Sequence, residues 1–182
     1  MKYNNTITLK DGRECILRAA TADDARGFQE YFLISHNETD FLATYPDEFR
    51  ETLEETAANL QKKYESDTDI EICAFVDDRL IGSAGVWRIH DREKMRHRAD
   101  FGISIMKEYW GLGIGKALTL ACIEVAGEAG FLQLELEAVA DNEQALALYK
   151  KCGYIEYGRN PRGFKNRQGN WQELVSMRLE LD

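Results

Sequence analysis

The sequence lacks the marks of several protein classes. It has only two prolines and four cysteines, and no two cysteines form a Cys-x-x-Cys pair. None of its three histidines pairs with a histidine or cysteine at zinc-site spacing, so no metal site is expected. No apolar run approaches the ~20 residues of a membrane-spanning helix, so no membrane partner is expected.

Positive charge is also scarce. The 182 residues carry 23 Lys and Arg against 32 Asp and Glu, a formal net charge of −9. Because nucleic-acid binding needs a basic face for phosphate contacts, DNA and RNA partners are disfavoured. The N-terminal segment MKYNNTITLKDGRE has no apolar stretch of a secretory signal, which predicts a cytoplasmic protein. The widely spaced cysteines are then expected to be reduced thiols.

The pattern of elements indicates a mixed α/β protein. The length and the absence of repeats or Pro/Ser-rich linkers predict a single domain over residues 1–182. Strands are predicted at 6–10 and 14–18, followed by helices at about 21–35 and 47–64. Then come strands at 70–76, 80–89 and 96–106, a helix at 113–129, a strand at about 131–138, a helix capped by Asp141 that runs to about 151, and strands at 154–159 and 171–181.

A glycine-rich segment, 109-YWGLGIGKAL-118, precedes the third predicted helix. Glycine destabilises helices, so this clustering needs a cause. A nucleotide P-loop is excluded, because its first glycine falls on Trp110 and its Ser/Thr on Ala117. A dinucleotide fingerprint is excluded as well, because its third glycine falls on Lys116 or Leu118.

Two interpretations of this segment remain. It is either a tight strand–helix turn or a cradle for a pyrophosphate, and the glycines alone do not decide between them. In the cradle, free main-chain N–H groups at a helix N-terminus donate to phosphate oxygens. The predicted donors are Leu112, Gly113, Ile114, Gly115, Lys116 and Ala117. Gly113 and Gly115 would let phosphate approach the main chain.

A second motif lies one helix later, in 142-NEQALALYKKCGY-154. Asn142, Ala145 and Tyr149 fall three and seven residues apart, on one helix face. An isolated tyrosine on such a face is more often part of the core than of a site. Its combination with the glycine segment, about 30 residues upstream, is specific.

These two segments together resemble the GNAT superfamily of acetyl-CoA-dependent N-acetyltransferases. The family's loop pattern, Arg/Gln-x-x-Gly-x-Gly/Ala, falls on residues 110–115, with Trp110 in place of Arg or Gln. The element order is similar from about residue 14 to the end. The later pattern, Asn-x-x-Ala-x-x-Leu-Tyr-x-x-x-Gly-Phe/Tyr, matches Asn142, Ala145, Leu148, Tyr149, Gly153 and Tyr154.

The resemblance implies a mixed, mostly antiparallel sheet with helices on both faces and a central splayed pair of parallel strands, 96–106 and 131–138. It implies acetyl transfer from acetyl-CoA to a primary amine of a small molecule or a peptide, without a metal. Main-chain groups of Ile103, Ser104 and Ile105 would pair with the pantetheine arm, and one N–H would stabilise the oxyanion. Asn142 and Ala145 join the cofactor site, and Lys116 adds charge near the phosphates. Family members are often dimers, so a homodimer is among the expected assemblies.

The resemblance also assigns catalytic roles. Tyr149 is the expected general acid, because a phenol with a pKa of ~10 can protonate a departing thiolate whose thiol pKa is ~8.5. Asp100 lies roughly where some members carry a catalytic Glu and is the first candidate base. Other candidates are Glu38, Glu137 and His90. Proximity without a dedicated base is a further alternative.

The acceptor is not identified by the sequence. The resemblance implies that it contacts the segments 36-HNETDFLATYP-46 and 158-GRNPRGFKNRQGNW-171. The first is acidic and the second is basic, and each is also compatible with a solvated loop. An acyl-CoA sensor without turnover is the alternative function; the intact glycine segment and Tyr149 favour an enzyme.

Overall fold

The computed structural model, which describes residues 1–181, contains one eight-stranded sheet in the order β1-β2-β3-β4-β5-β6-β8-β7. The strands are β1 (Asn4–Thr8), β2 (Glu14–Ala19), β3 (Ile70–Val76), β4 (Arg79–Arg88), β5 (Arg98–Ile105), β6 (Gln133–Val139), β7 (Ile155–Lys165) and β8 (Trp171–Glu180). The α-helices are α1 (Ala25–Asn37), α2 (Leu53–Glu65), α3 (Ile114–Glu128) and α4 (Glu143–Lys151). The predicted mixed α/β fold, mostly antiparallel with one parallel pair, is confirmed.

The parallel pair is short. Strands β5 and β6 are paired at only three positions, the last of which joins Asp100 to Glu135. Both strands continue, β5 to Ile105 and β6 to Val139, without pairing to each other again. The sheet therefore contains a V-shaped gap that opens after Asp100 and Glu135, as the family resemblance predicts.

Helices cover the two faces of the sheet near this gap. On one face, the Tyr31 hydroxyl of α1 donates to the Ser104 carbonyl of β5 at 2.8 Å. On the other, the Tyr149 ring of α4 packs edge-on against Phe101 of β5, with centroids 6.1 Å apart. Side chains alternate along a strand, so even-numbered residues of β5 face α1 and odd-numbered residues face α4. These are called the α1 face and the α4 face below.

The buried core is apolar and continuous across these layers. Ile72, Leu134 and Leu118 from β3, β6 and α3 are almost fully buried. No disulfide forms among the cysteines, of which Cys15, Cys73 and Cys122 are buried. None of the helices in residues 1–181 is long and apolar enough to cross a membrane.

Two predicted helix starts are wrong. Helix α2 begins at Leu53 rather than near 47, because Thr52 forms a reciprocal capping box with Glu55. The Thr52 N–H donates to Glu55 at 2.8 Å, and the Glu55 N–H donates to Thr52 at 3.2 Å. Helix α4 is capped by Asn142, not Asp141, through a bond from the Ala145 N–H at 3.2 Å.

The last hairpin is longer than expected. Strand β7 continues to Lys165 rather than ending near 159, with irregular register against β8 between Asn160 and Phe164. A Cβ at Gly163 would lie 2.3 Å from Leu174, so only glycine fits there without displacing β8.

Candidate active site

The free edge of β5 in the gap offers main-chain hydrogen-bonding groups. The Met106 N–H donates to the Ile81 carbonyl of the neighbouring strand β4 at 2.9 Å, so even-numbered residues of β5 turn their main-chain N–H and C=O groups toward β4. In an antiparallel pair, the main-chain N–H and C=O groups of successive residues point alternately to the two sides of the strand. Those of Ile103 and Ile105 therefore point toward the gap. The main chain of Ser104, which was expected to pair with pantetheine as well, faces β4 instead.

Trp110, the departure from the family pattern, is tied to this same edge. Its indole N–H donates to the Ile105 carbonyl at 2.7 Å, although the ring is partly exposed. The Lys107 ammonium lies 5.9 Å from the ring centroid. Trp110 thus anchors the glycine segment to the end of β5 and occupies one acceptor of the free edge.

The N-terminus of α3 has the features of an anion site. Its N-cap is Gly113, no side chain caps it, and its first turn holds no acidic residue. Gly111 and Gly113 have φ of +78° and +103°, in the region that favours glycine. The Ala117 N–H bonds to the Gly113 carbonyl at 3.2 Å, so it is not free, contrary to the prediction. The N–H groups of Gly113 to Lys116 have no partner within the helix.

At position 115, glycine is required by packing and not by the backbone conformation. A Cβ at this position would lie 3.2 Å from Leu148 of α4 and 3.6 Å from Ile105 of β5. Close helix packing therefore explains Gly115, whereas Gly113 has open space where a Cβ would be. The tight-turn interpretation therefore accounts for Gly115, and the pyrophosphate cradle at Gly113 stays a prediction. Lys116 is exposed beside this turn.

Tyr149 lies at the apex of the gap on the α4 face. Its ring contacts Phe101, the first residue of β5 beyond the last parallel pair. The side chain is 7% exposed, and burial raises the pKa of its phenol. Its hydroxyl has no hydrogen-bond partner among residues 1–181. A protonated phenol with a free O–H is a suitable proton donor. The neighbouring ring of Tyr154 lies 5.9 Å away.

Asp100 lies at the same apex on the α1 face. One carboxylate oxygen accepts the Phe101 N–H at 3.1 Å, and no described residue forms an ion pair with it. Burial raises the pKa of Asp100 to about 6, and the nearby charges of Glu135 and Glu137 act in the same direction. Asp100 is therefore ionised at neutral pH yet more basic than an exposed aspartate.

The other candidate bases occupy different places. Glu137 follows Glu135 on the same face of β6 and accepts the Ser176 hydroxyl at 3.0 Å. Glu38 accepts the Lys107 N–H at 2.7 Å, beyond the end of β5. His90 is exposed after β4, at the closed end of the β5–β6 pair. The structure brings Glu137 near Asp100 and leaves His90 apart.

The two segments predicted to contact the acceptor meet each other. The α1–α2 loop, residues 38–48 and called the strap below, starts at the end of β5, where Glu38 binds Lys107. It reaches the start of β8, where Gln172 donates to the Asp40 carbonyl at 3.0 Å. Strand β8 pairs with β6 as far as Val139. The strap therefore joins the ends of the two separating strands.

The basic charge of the β7–β8 hairpin has partners within the protein. Arg167 pairs with Asp47 of the strap at 2.6 Å and lies over the Tyr45 ring. Arg162 and Lys165 lie over the Trp171 ring. Arg167 is therefore paired with a carboxylate, whereas Arg162 and Lys165 keep their charge at the surface of the hairpin.

Known proteins share this architecture. A model of the Acetyltransferase (GNAT) family matches residues 31–154. The crystal structure of a GNAT-family acetyltransferase from Streptococcus pneumoniae is 29% identical, with a TM-score of 0.87 over 91% of this chain and 99% of that one. A phosphinothricin acetyltransferase from Sinorhizobium meliloti, in complex with acetyl-CoA, is 22% identical, with a TM-score of 0.78 over 96% and 89%.

Similarity to curated relatives is more local. The N-alpha-acetyltransferase 30 of Schizosaccharomyces pombe is 38% identical over 64 residues, which are 35% of this chain and 43% of that protein. The chain thus spans less than half of this relative's length. The family model, in contrast, covers most of the chain and includes the glycine segment, Asp100 and Tyr149. The chain therefore belongs to the acetyltransferase (GNAT) family.

Proposed function

We propose that this protein transfers an acetyl group from acetyl-CoA to a primary amine of a small molecule or a peptide. The observation that carries the proposal is the gap between β5 and β6. A proton donor, Tyr149, lies on one face of its apex, and a proton acceptor, Asp100, lies on the other. Transfer from a thioester to an amine releases a proton from the amine and delivers one to the thiolate, and this pair of groups can serve both steps.

The residues present fit coenzyme A. The pyrophosphate would bind the free N–H groups at the start of α3, from Gly113 to Lys116, where the helix dipole favours an anion. The pantetheine arm would follow the free edge of β5 at the Ile103 main chain and the Ile105 N–H, since the Ile105 carbonyl is bound by Trp110. Asn142, which caps α4 through its carbonyl oxygen, keeps its amide N–H₂ available to the cofactor. The S. meliloti relative, solved with acetyl-CoA, supports this choice of cofactor.

The proposed reaction uses groups on both faces of the sheet, Asp100 on the α1 face and Tyr149 on the α4 face. The neutral amine attacks the thioester carbonyl, and a C–N bond forms as the C–S bond breaks. The Tyr149 phenol gives its proton to the departing thiolate, and the amine proton passes to the Asp100 carboxylate directly or through water. An N–H of the free β5 edge, at Ile103, stabilises the oxyanion.

Asp100 suits the second proton transfer because of its environment. An aliphatic ammonium has a pKa of ~10.4, far above that of an ordinary aspartate. Burial, which raises the pKa of Asp100 to about 6, narrows this difference. Glu137, on the same face, adds negative charge that attracts an ammonium to the gap.

The test is thiol release from acetyl-CoA with a panel of monoamines, diamines, amino acids and peptides, with mass spectrometry of the products. Acetylation of at least one amine, lost in Tyr149→Phe, is expected. CoA binding by calorimetry without thiol release for any amine would point to a sensor instead. If CoA does not bind either, the proposed cofactor site is wrong.

A further inference from the structure

Trp87 of β4 lies beside the proposed base. In the β4–β5 ladder it stands directly opposite Asp100, so both side chains are on the α1 face. A Cβ at Gly102 would lie 2.9 Å from the indole Cη2, and one at Gly85 would lie 3.2 Å from Cζ3. The ring therefore extends over two glycines, and larger residues at either position would displace it.

The Trp87 ring is available to a ligand. It is 37% exposed, on a strand whose preceding residues are buried. Each of the other two tryptophan rings already has a lysine of this protein over it. Lys107 lies 5.9 Å from the ring centroid of Trp110, and Lys165 lies 5.2 Å from that of Trp171. Among residues 1–181, no lysine or arginine lies over Trp87. An exposed indole face attracts cations.

The charges around Trp87 favour a cation as well. Asp100 has no ion-pair partner among the described residues. Arg98, the basic residue of β5 on this face, is bound by Glu135 with one contact at 2.7 Å. Lys63, which reaches this face from α2, is bound by Glu71 at 2.6 Å. These two cations of the α1 face are thus paired with carboxylates, whereas the Asp100 carboxylate beside Trp87 has no such partner.

We propose that Trp87 binds a second, non-reacting ammonium of the acceptor, so that the preferred acceptors are short diamines. This inference rests on the proposed function and specifies its acceptor. The reacting amine occupies the gap beyond Asp100, on one side of β5. The other ammonium lies over Trp87 on the opposite side, about one strand spacing (~4.8 Å) from β5. Because Gly102 lacks a side chain, the Trp87 ring extends over β5 toward the gap, and the methylene chain would lie across the exposed part of this ring.

The experiment compares diaminobutane, with an amine at each end, with butylamine, in which a methyl replaces the second amine. For the wild type, kcat/KM with acetyl-CoA is expected to be roughly tenfold higher for the diamine, in the range of a cation–π contact. Trp87→Phe should reduce this ratio, and Trp87→Leu should bring it close to two, the statistical value for a molecule with two equivalent amines. The kcat/KM for butylamine should change little.

Ile16→Ala is the matched control, because it shortens an exposed apolar strand residue on β2, away from the gap. It should leave the ratio unchanged. An equal loss of kcat/KM for both amines in Trp87→Leu would mean that the indole only supports the fold, and the inference would be wrong. A wild-type ratio of about two or less would overturn it too.

Calorimetry separates this inference from the proposed function. If neither amine is acetylated, diaminobutane is titrated into the CoA-loaded wild type and into CoA-loaded Trp87→Leu. Binding that is present in the first and lost in the second would support the cation site although the catalytic proposal had failed. Absence of binding to the wild type would overturn the cation site.

Discussion

Asp100 and Tyr149 lie on opposite faces of one sheet, at the point where β5 and β6 stop pairing. Asp100 is the last residue of β5 that pairs with β6. The Tyr149 ring packs against the side chain of the next residue, Phe101. In the proposed reaction, the proton acceptor for the amine and the proton donor for the thiolate therefore lie on opposite faces of the sheet. Changes at the two residues are expected to have different kinetic signatures.

Tyr149→Phe is expected to lower kcat by about a hundredfold or more while CoA still binds, because only the proton donor is removed. Steady-state kinetics and calorimetry measure the two effects. Tyr154→Phe is the matched control: its ring lies 5.9 Å from Tyr149, and its own hydroxyl is buried without a partner. It should keep kcat and gain about 1 kcal/mol of stability. Unchanged kcat in Tyr149→Phe across the pH range would remove its role as acid.

Asp100→Asn is expected to change the pH dependence of kcat/KM. The pKa of Asp100 is raised to about 6, so wild-type activity should decline as the pH falls below about 6 and the carboxylate is protonated. The variant should be slow and should lack that decline. A wild-type pH–rate profile retained in the variant would exclude Asp100 as the base.

The same substitution is expected to affect stability in a pH-dependent way. The pKa of Asp100 is raised in the folded state above the ordinary value of 3.8, so the folded protein binds this proton more tightly than the unfolded chain does. The free energy of unfolding of the wild type therefore falls as the pH rises from about 4 to 6. Asp100→Asn should therefore be more stable than the wild type at pH 7, with a smaller difference at pH 3. Thermal unfolding at both pH values checks this, and an equal difference at the two would contradict it.

Trp110→Phe is expected to weaken CoA binding by about three- to tenfold, because it removes the indole N–H that holds the glycine segment to Ile105. Trp110→Arg introduces a cation beside the phosphate site, so its CoA affinity should depend more steeply on salt than that of the wild type. Calorimetry at two ionic strengths measures both. Equal affinity in all three proteins would show that the 2.7 Å bond does not affect the cofactor site.

The strap is expected to affect the acceptor and not the cofactor. Arg167→Ala breaks a pair with Asp47 whose side chains are 52% and 62% exposed, so stability should change by less than about 1 kcal/mol. The KM for the amine should change, and the KM for acetyl-CoA should not. The reversed pair, Asp47→Arg with Arg167→Asp, should restore the amine KM. If the reversed pair does not restore the KM for the amine, the ion pair between Asp47 and Arg167 has no role in acceptor binding.

Local patterns in the sequence predict most of the elements, since helix and strand periods depend on neighbouring residues. The capping box of Thr52 and Glu55 was also readable as Thr-x-x-Glu, but the composition of residues 47–64 as a whole, rich in Glu, Ala, Leu and Lys, predicted an earlier start. At α4, Asp141 and Asn142 are both good caps, and sequence alone does not rank them. The V-shaped gap was predicted only through the family resemblance.

Most of the acceptor side could not be predicted, because its contacts join distant parts of the chain. Trp87 meets Asp100 and Gly102 only through the register of β4 and β5. The strap meets the hairpin across more than a hundred residues, as in the pair of Asp40 and Asn166 at 3.2 Å. Neither relationship leaves a periodic or local signal in the sequence.

The three tryptophans occupy three different places: Trp87 on the α1 face of β4, Trp110 in the glycine segment before α3, and Trp171 at the start of β8. All three rings are partly exposed, so the emission of each is sensitive to what covers it. A variant that keeps only Trp110 would report cofactor binding, and one that keeps only Trp87 would report the acceptor. The order in which the two substrates bind is therefore measurable by stopped-flow fluorescence without an attached label.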